Sequence, residues 1–308
     1  MPTPTRKDSL GWIGAGRMGY EMAARLAKGG CDISVWNRTR AKAEPLEEYG
    51  AKVVNQLEDL STRDILFVMV STYDDVKEVL SKALSKNTKP GMVVECSSIS
   101  LEGSAELRGM LKSKGIEYLA APVSGNAKVI KAGKLTFVVS GPQSAYDKAK
   151  PYLDMMGMGS SYVGEGELAR IAKICHNVFL GVVTQSLAEI TVLAEKAGMP
   201  RHAFLDFLNK SVMGSTFTRY KAPAFVNLDF KVTFTPKLLR KDMDLGLDAG
   251  RRFEVPMPLA ALTRDLIQQM IGHGMTEQDF ATLLVMQAKA SGIELSSENA
   301  QVGDGLSP

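Results

Sequence analysis

The sequence predicts an α/β chain in two parts: a doubly wound, mostly parallel sheet with helices on both faces, then an all-α domain joined to it by one long helix. Three observations carry this. Up to about Tyr162 short apolar runs alternate with helical patterns, the order that builds a parallel sheet covered on both faces. Beyond Tyr162 the strand signals fade and the remaining segments repeat with a helical period. The length, 308 residues, also exceeds what one hydrophobic core usually serves.

In chain order, the strand candidates are residues 10–13, 33–35, 52–54, 65–69, 92–95, 117–120 and 136–139. Amphipathic stretches at 19–28, 75–84 and 100–114 lie between them. The helical part opens with residues 166–197, apolar nearly all round and stopped by Gly198 and Pro200. Residues 201–209, 236–249, 258–273 and 277–291 continue it. From about Ser296 the chain is polar and rich in Gly, Ser, Asn and Asp, which predicts a disordered tail over 296–308.

Composition narrows the function. With 45% hydrophobic and 23% charged residues the chain is an ordinary globular protein, and 37 Lys+Arg against 34 Asp+Glu leave +3, too little to argue for a nucleic-acid partner. Cys31, Cys96 and Cys175 are odd in number and widely spaced, which predicts free thiols in a reducing compartment. His176, His202 and His273 show no zinc spacing with any cysteine, so no metal is expected. The start lacks the apolar stretch of a signal peptide and no run reaches the ~18 apolar residues of a membrane span; the expectation is a cytoplasmic protein with no membrane partner.

The most specific local signal is Gly14-Ala15-Gly16-Arg17-Met18-Gly19, placed between a strand and a helix. Gly14 permits the tight turn, Gly16 lets backbone approach a pyrophosphate, and Gly19 lets helix and strand pack closely. The phosphates then sit on the positive end of the helix. This is the fingerprint of a Rossmann-type dinucleotide-binding domain; the bland alternative is a fortuitous turn. About 20 residues on, where NAD-selective folds place an acid on the ribose, stands neutral Asn37. Arg38, Thr39 and Arg40 follow, two cations and a hydroxyl suited to a 2′-phosphate, so NADP (NADPH) is expected over NAD unless these arginines are ordinary solvated charges.

Lys173 and Asn177, four apart, share one helix face and can point at one bound molecule. Most such pairs are solvated surface. Here the neighbours Leu168, Ile171, Ala172, Ile174, Val178 and Phe179 are apolar, and a charged lysine in such a helix needs a partner or a role.

Four stretches together resemble the β-hydroxyacid dehydrogenase family, which includes 3-hydroxyisobutyrate dehydrogenase, tartronate semialdehyde reductase and the glyoxylate/succinic semialdehyde reductases. They are residues 11–19, residues 121–125 continuing to 133–136, Gly164 through Lys173 to Asn177, and Lys241-Asp242, spanning most of residues 10–290. The resemblance implies that Lys173 is the catalytic lysine and Asn177 a substrate-orienting amide. It implies that Ser124 and Gly125 hold the substrate carboxylate through hydroxyl and backbone N–H donors. It also implies that Lys241 reaches from the α domain to the cofactor with Phe234 lining that closure, that Val70 and Ser71 cover the adenosine half, and that Ser98 lies near the nicotinamide. The domains implied are 1–164 for the dinucleotide and 165–295 for substrate and oligomerisation.

Two departures from the family pattern stand out. Asn126 replaces a glycine after Ser124-Gly125 and is expected to fill the edge of the carboxylate site, which brings the chain nearer the semialdehyde reductases. His176 replaces the first of two asparagines; it is expected to be a core histidine bonded to its neighbours, the alternative being a competing acid, and Cys175 is expected to pack.

The implied chemistry is interconversion of a small carboxylated aldehyde or ketone with its β-hydroxyacid. The nicotinamide carries the hydride, and Lys173 serves as general acid/base. An unperturbed lysine, pKa about 10.4, is protonated at neutral pH, which favours reduction; oxidation needs burial or nearby Lys241 to lower it. The apolar long helix and methionine-rich α domain suggest a homodimer or homotetramer. Two rivals stay open: an imine reductase, which usually replaces the lysine, and a non-catalytic NADP-binding scaffold.

Overall fold

The structure, a computed structural model, describes residues 8–86 and 88–306. The chain divides into two compact units, the first ending at Lys173 and the second beginning at Ile174. The division therefore falls inside a helix.

In the first unit, β1 (Leu10–Ile13), β4 (Ile65–Val68) and β5 (Met92–Glu95) are buried along their whole length. That is the pattern of parallel strands covered on both faces. With β2 (Ile33–Trp36), β3 (Lys52–Val53) and β6 (Glu117–Ala120) they form a six-stranded sheet in the order β3-β2-β1-β4-β5-β6, every pair parallel. The order reverses between β1 and β4, and in such sheets ligands bind beyond the carboxyl ends of the strands at that reversal. Successive side chains of β1 feed two different cores, because a strand alternates its faces. Trp12 joins Met22, Leu26 and Phe67 beside α1 (Arg17–Lys28), while Ile13 joins Val76, Leu80 and Leu107 beside α2 (Tyr73–Ala83) and α3 (Leu101–Ser113).

Residues 136–139 are a strand, as expected, but not of this sheet. β8 (Thr136–Val139) pairs antiparallel with β7 (Val123–Ser124) and parallel with β9 (Gly159–Tyr162). A single bridge, Ala120 to Ser140, links the two sheets. Two helices go with this subsheet, α4 (Ala127–Lys131) and α5 (Gln143–Met156), the latter tolerating Pro151 inside it.

The long helix α6 (Leu168–Lys196) crosses the division: Ala169 packs in the second core of the first unit, and Leu187, Ala188 and Val192 lie in the core of the second. By length and composition α6 could cross a membrane, since an 18-residue window has a mean hydropathy of 1.4; the expectation that no segment reaches that length is corrected. Of that window 56% is buried inside the protein. Asn177 and Gln185 of α6 donate to Asp242 and Gln287 of the same unit, the behaviour of a core helix.

The second unit continues with α7 (Arg201–Lys210), α8 (Thr216–Asn227), α9 (Pro236–Arg252), α10 (Pro258–Gly272) and α11 (Leu283–Ala290). The sequence reading passed over α8, whose Pro223 looks like a breaker. The usable signal was its capping box: Ser215 Oγ accepts from Thr218 N, and Thr218 Oγ1 accepts from Ser215 N.

The expected disordered tail is also corrected. The Glu298 carboxylate accepts from the backbone N–H groups of Arg201 (2.7 Å) and His202 (2.9 Å), satisfying the start of α7. Asn227 and Ala300 exchange two hydrogen bonds, and Ala300 and Val302 pack on the Leu187–Phe225 core. Composition predicts disorder only where polar backbone finds no partner, and here side chains of α7 and α8 supply one. Residues 307–308 of the expected tail lie outside the described residues.

Candidate active site

At the carboxyl end of β1, Gly14 has φ +101°, and a Cβ there would lie 2.1 Å from the Met69 carbonyl oxygen. Only glycine fits. A Cβ on Gly19 would lie 2.0 Å from the Gly14 carbonyl oxygen, so α1 rests directly on the loop. Gly16, the cap of α1, gives its first turn no side-chain partner, and that turn holds no acid. A Cβ at Gly16 would meet nothing within 4 Å. It would project into a cleft of about 440 Å³ lined by Gly14, Gly16, Arg17, Met18, Gly19, Asn37, Arg38, Thr39, Val70 and Ser71. Unsatisfied helix N–H groups, an approachable backbone and nearby cations fit a dinucleotide's phosphates.

Ala15 is buried, and its N–H donates to Asn37 Oδ1 at 2.8 Å; Asn37 Nδ2 donates in turn to the Thr39 carbonyl at 2.8 Å. The Asn37 carboxamide thus bridges the glycine loop to the end of β2. Arg40 is engaged away from the cleft: its guanidinium donates to Glu44 (3.1 Å), Asn55 (2.8 Å) and the Val53 carbonyl, and it is not among the cleft's lining residues. Lys42 lines the cleft instead, a residue the sequence reading missed. Residues 40–42 form a 3₁₀ turn, in which positions three apart eclipse, so Lys42 stands on the side of Thr39. Arg38 is 84% exposed and only 3.8 Å from Asp75, a weak surface pair that leaves it available.

On the same unit, Ser124 ends β7 and Gly125 follows with φ +138°, where a Cβ would press on Val129. Asn126 is not simply the edge of an anion site: its Oδ1 accepts from Val129 N at 3.1 Å and caps α4, leaving its amide N–H groups. Ser98 is exposed in the turn after β5, beside buried Ser97, whose hydroxyl accepts from Val70 N at 2.9 Å. The turns after β4 and β5 are thereby tied together.

Lys173, half-buried, closes the first unit on α6. One turn on, buried Asn177 donates through Nδ2 to Asp242 Oδ2 at 2.6 Å, and Asp242 Oδ1 lies 3.1 Å from Lys241 Nζ. With its Nδ2 so engaged, Asn177 presents Oδ1 to His176, whose Nδ1–H donates at 2.9 Å. His176 does bond to its neighbour, but it is exposed rather than in the core, and Cys175 is exposed rather than packed. Asp242 was not among the residues picked from sequence; its signal was Lys241-Asp242 itself. Phe234 is half-buried, its N–H donating to Asp279 at 3.3 Å and its ring meeting Phe280 edge-on. The structure thus gathers ten predicted residues around one cleft of the first unit, and Asn177 with Lys241 around Asp242 in the second.

Comparison with known proteins gives this geometry its context. Residues 9–164 match the family described as the NAD binding domain of 6-phosphogluconate dehydrogenase, and residues 166–286 match that described as NAD-binding of NADP-dependent 3-hydroxyisobutyrate dehydrogenase. The chain belongs to the β-hydroxyacid dehydrogenase family. Its relatives include glyoxylate/succinic semialdehyde reductase 2, chloroplastic, of Arabidopsis thaliana, 30% identical over 92% of this chain and 81% of that protein. Another is 2-(hydroxymethyl)glutarate dehydrogenase of Eubacterium barkeri, 28% identical over 93% and 97%. The solved structure of Mycobacterium tuberculosis 3-hydroxyisobutyrate dehydrogenase with L-serine has a TM-score of 0.79 at 25% identity, covering 91% of this chain and 99% of that one. As a β-hydroxyacid dehydrogenase the chain is an NAD(P)-dependent oxidoreductase.

Proposed function

We propose that this β-hydroxyacid dehydrogenase is an NADPH-dependent reductase of small carboxylated aldehydes or keto acids, with Lys173 as general acid. The observation that carries the cofactor preference is the end of β2: neutral Asn37 is locked between two loops while Arg38, Thr39 and Lys42 line the cleft. A 2′-phosphate meets two cations there, Asn37 stands where NAD-selective folds carry an acid, and the acids lining the cleft, Asp75 and Glu78, come from α2. The relatives named for glyoxylate, succinic semialdehyde, 2-(hydroxymethyl)glutarate and 3-hydroxyisobutyrate support the substrate class.

The bound nicotinamide supplies or accepts the hydride. Lys173 donates a proton to the developing alkoxide and stabilises its charge beforehand. Asn177, held by Asp242 and His176 in one orientation, presents an amide of fixed polarity to the substrate. Ser124 and the backbone at Gly125 take the carboxylate. The test is NADPH oxidation against glyoxylate, succinic semialdehyde, methylmalonate semialdehyde, tartronate semialdehyde, bulkier 3-keto acids and a cyclic imine. At least one carboxylated carbonyl is expected to turn over and the imine is not; turnover of the imine alone would reverse the assignment.

We also propose that the second unit self-associates. Phe179 and Leu193 of α6, Phe253 after α9, and Leu259 and Leu262 of α10 are all more than half exposed, large apolar side chains that a second copy could cover. Light scattering at micromolar concentration should show a dimer or tetramer; a species of only 33.3 kDa would sink the idea.

A further inference from the structure

We infer that Arg170 and Glu95 are positioning residues of this dehydrogenase, an ion pair that fixes the first turn of α6, and with it Lys173, against the Ser97-Ser98 turn. Both side chains are sealed from solvent, at 1% and 0% exposure. The guanidinium of Arg170 donates from Nη2 to Glu95 Oε2 and to Tyr118 OH (3.1 Å), from Nη1 to the Ser97 carbonyl (2.6 Å), and from Nε to Ser104 Oγ (3.3 Å). Four of the five N–H bonds a guanidinium offers are thus placed. Glu95 spends its other oxygen on Ser97 N at 2.5 Å, and the Ser97 hydroxyl accepts from Val70 N. One charged group therefore joins the end of β5, the turn after it, α3, β6 and the start of α6, and Ser97 extends the link to the turn after β4.

Stability does not account for this pair. Taking two charges out of water costs several kcal/mol per ion, and well-packed apolar residues of similar volume are often as stable or more so. A planar fork with four partners instead specifies position and angle. What it specifies lies within one turn of the chemistry: Ser98 is the residue after Ser97, and Lys173 is three residues after Arg170. Burial works against the Arg170 charge, but Glu95 and Tyr118 beside it more than restore it, so the fork stays protonated over the range where activity is measured. A pH profile altered in a variant would then report on Lys173.

This inference rests on the proposed role of Lys173, and two arms keep the two claims separable. In the first, the apolar pair Arg170→Met with Glu95→Leu, and separately Arg170→Lys, are compared with wild type for Tm, NADPH affinity, kcat, KM and the pH profile of kcat. Both variants are expected to fold and to bind NADPH within about threefold of wild type, while kcat on the best semialdehyde falls roughly 10- to 100-fold and its pH profile moves. Lysine is not expected to rescue, because it lacks the fork. Wild-type kcat and pH profile in a folded variant of either kind would overturn the assignment. In the second arm, needing no substrate, amide exchange is followed in Arg170→Lys. Faster exchange in residues 96–98 and 168–173 together supports the coupling, and unchanged exchange in either segment refutes it. A wild type inactive on every substrate would count against the proposed function, and the exchange arm would still decide this one.

Discussion

Lys173→Met is expected to lower kcat by a factor of about 10² to 10⁴ while NADPH binding stays almost unchanged. The cleft proposed for the cofactor's phosphates is lined by the glycine loop and the end of β2, and Lys173 is not among its lining residues. The loss combines proton transfer with stabilisation of the alkoxide, so kcat and kcat/KM should fall together. Lys173→Arg should not restore turnover, since a guanidinium does not release a proton near neutral pH and presents a different shape. His176 is the rival acid. It is exposed and commits Nδ1–H to Asn177. Measuring His176→Asn beside Lys173→Met at pH 7 separates the two: if the first abolishes turnover and the second keeps most of it, the chemistry belongs to the histidine.

The second large effect concerns cofactor choice. Arg38→Ala should weaken NADPH by about one to two decades, since a charge-assisted contact to phosphate contributes roughly 1.5–3 kcal/mol, and adding Lys42→Ala should weaken it further. NADH, lacking the phosphate, should bind as before. Arg40→Ala should leave discrimination intact, because its guanidinium already holds Glu44, Asn55 and the Val53 carbonyl. Titration by cofactor fluorescence would show this directly. Equal losses for the two cofactors in the Arg38/Lys42 variant would mean these cations serve the dinucleotide generally.

The contrast between Arg40 and Lys42 shows what sequence carries and what it leaves open. A sequence lists charges but not their directions, and a 3₁₀ turn sends two cations only two residues apart to different surroundings, Lys42 to the cleft and Arg40 to Glu44 and Asn55. β1, β2, β4 and β5 of the main sheet were legible because each is a short, mostly apolar run ended by local punctuation. The sheet β7-β8-β9 was not, because β7 has two residues and β9 reads Gly-Ser-Ser-Tyr, with too little apolar content to stand out. Helix α8 hid behind Pro223, and the docked tail behind a polar composition whose partners lie far away in sequence. The candidate site was legible where its signal is local, as at Gly14, Gly16 and Gly19. Arg170 passed unremarked although the argument applied to Lys173, that a charge in an apolar helix needs a partner, holds for it equally.

That Lys173 and Asn177 share an unbroken helix, with the unit division falling between them, limits how this stretch can change in length. Their phase is set by backbone hydrogen bonds, with no loop to absorb an error. One residue gained or lost between them would change the phase of Asn177 relative to Lys173 by about 100° about the helix axis. Drift in length is open to the loops on either side, whereas the span from 173 to 177 admits substitution only.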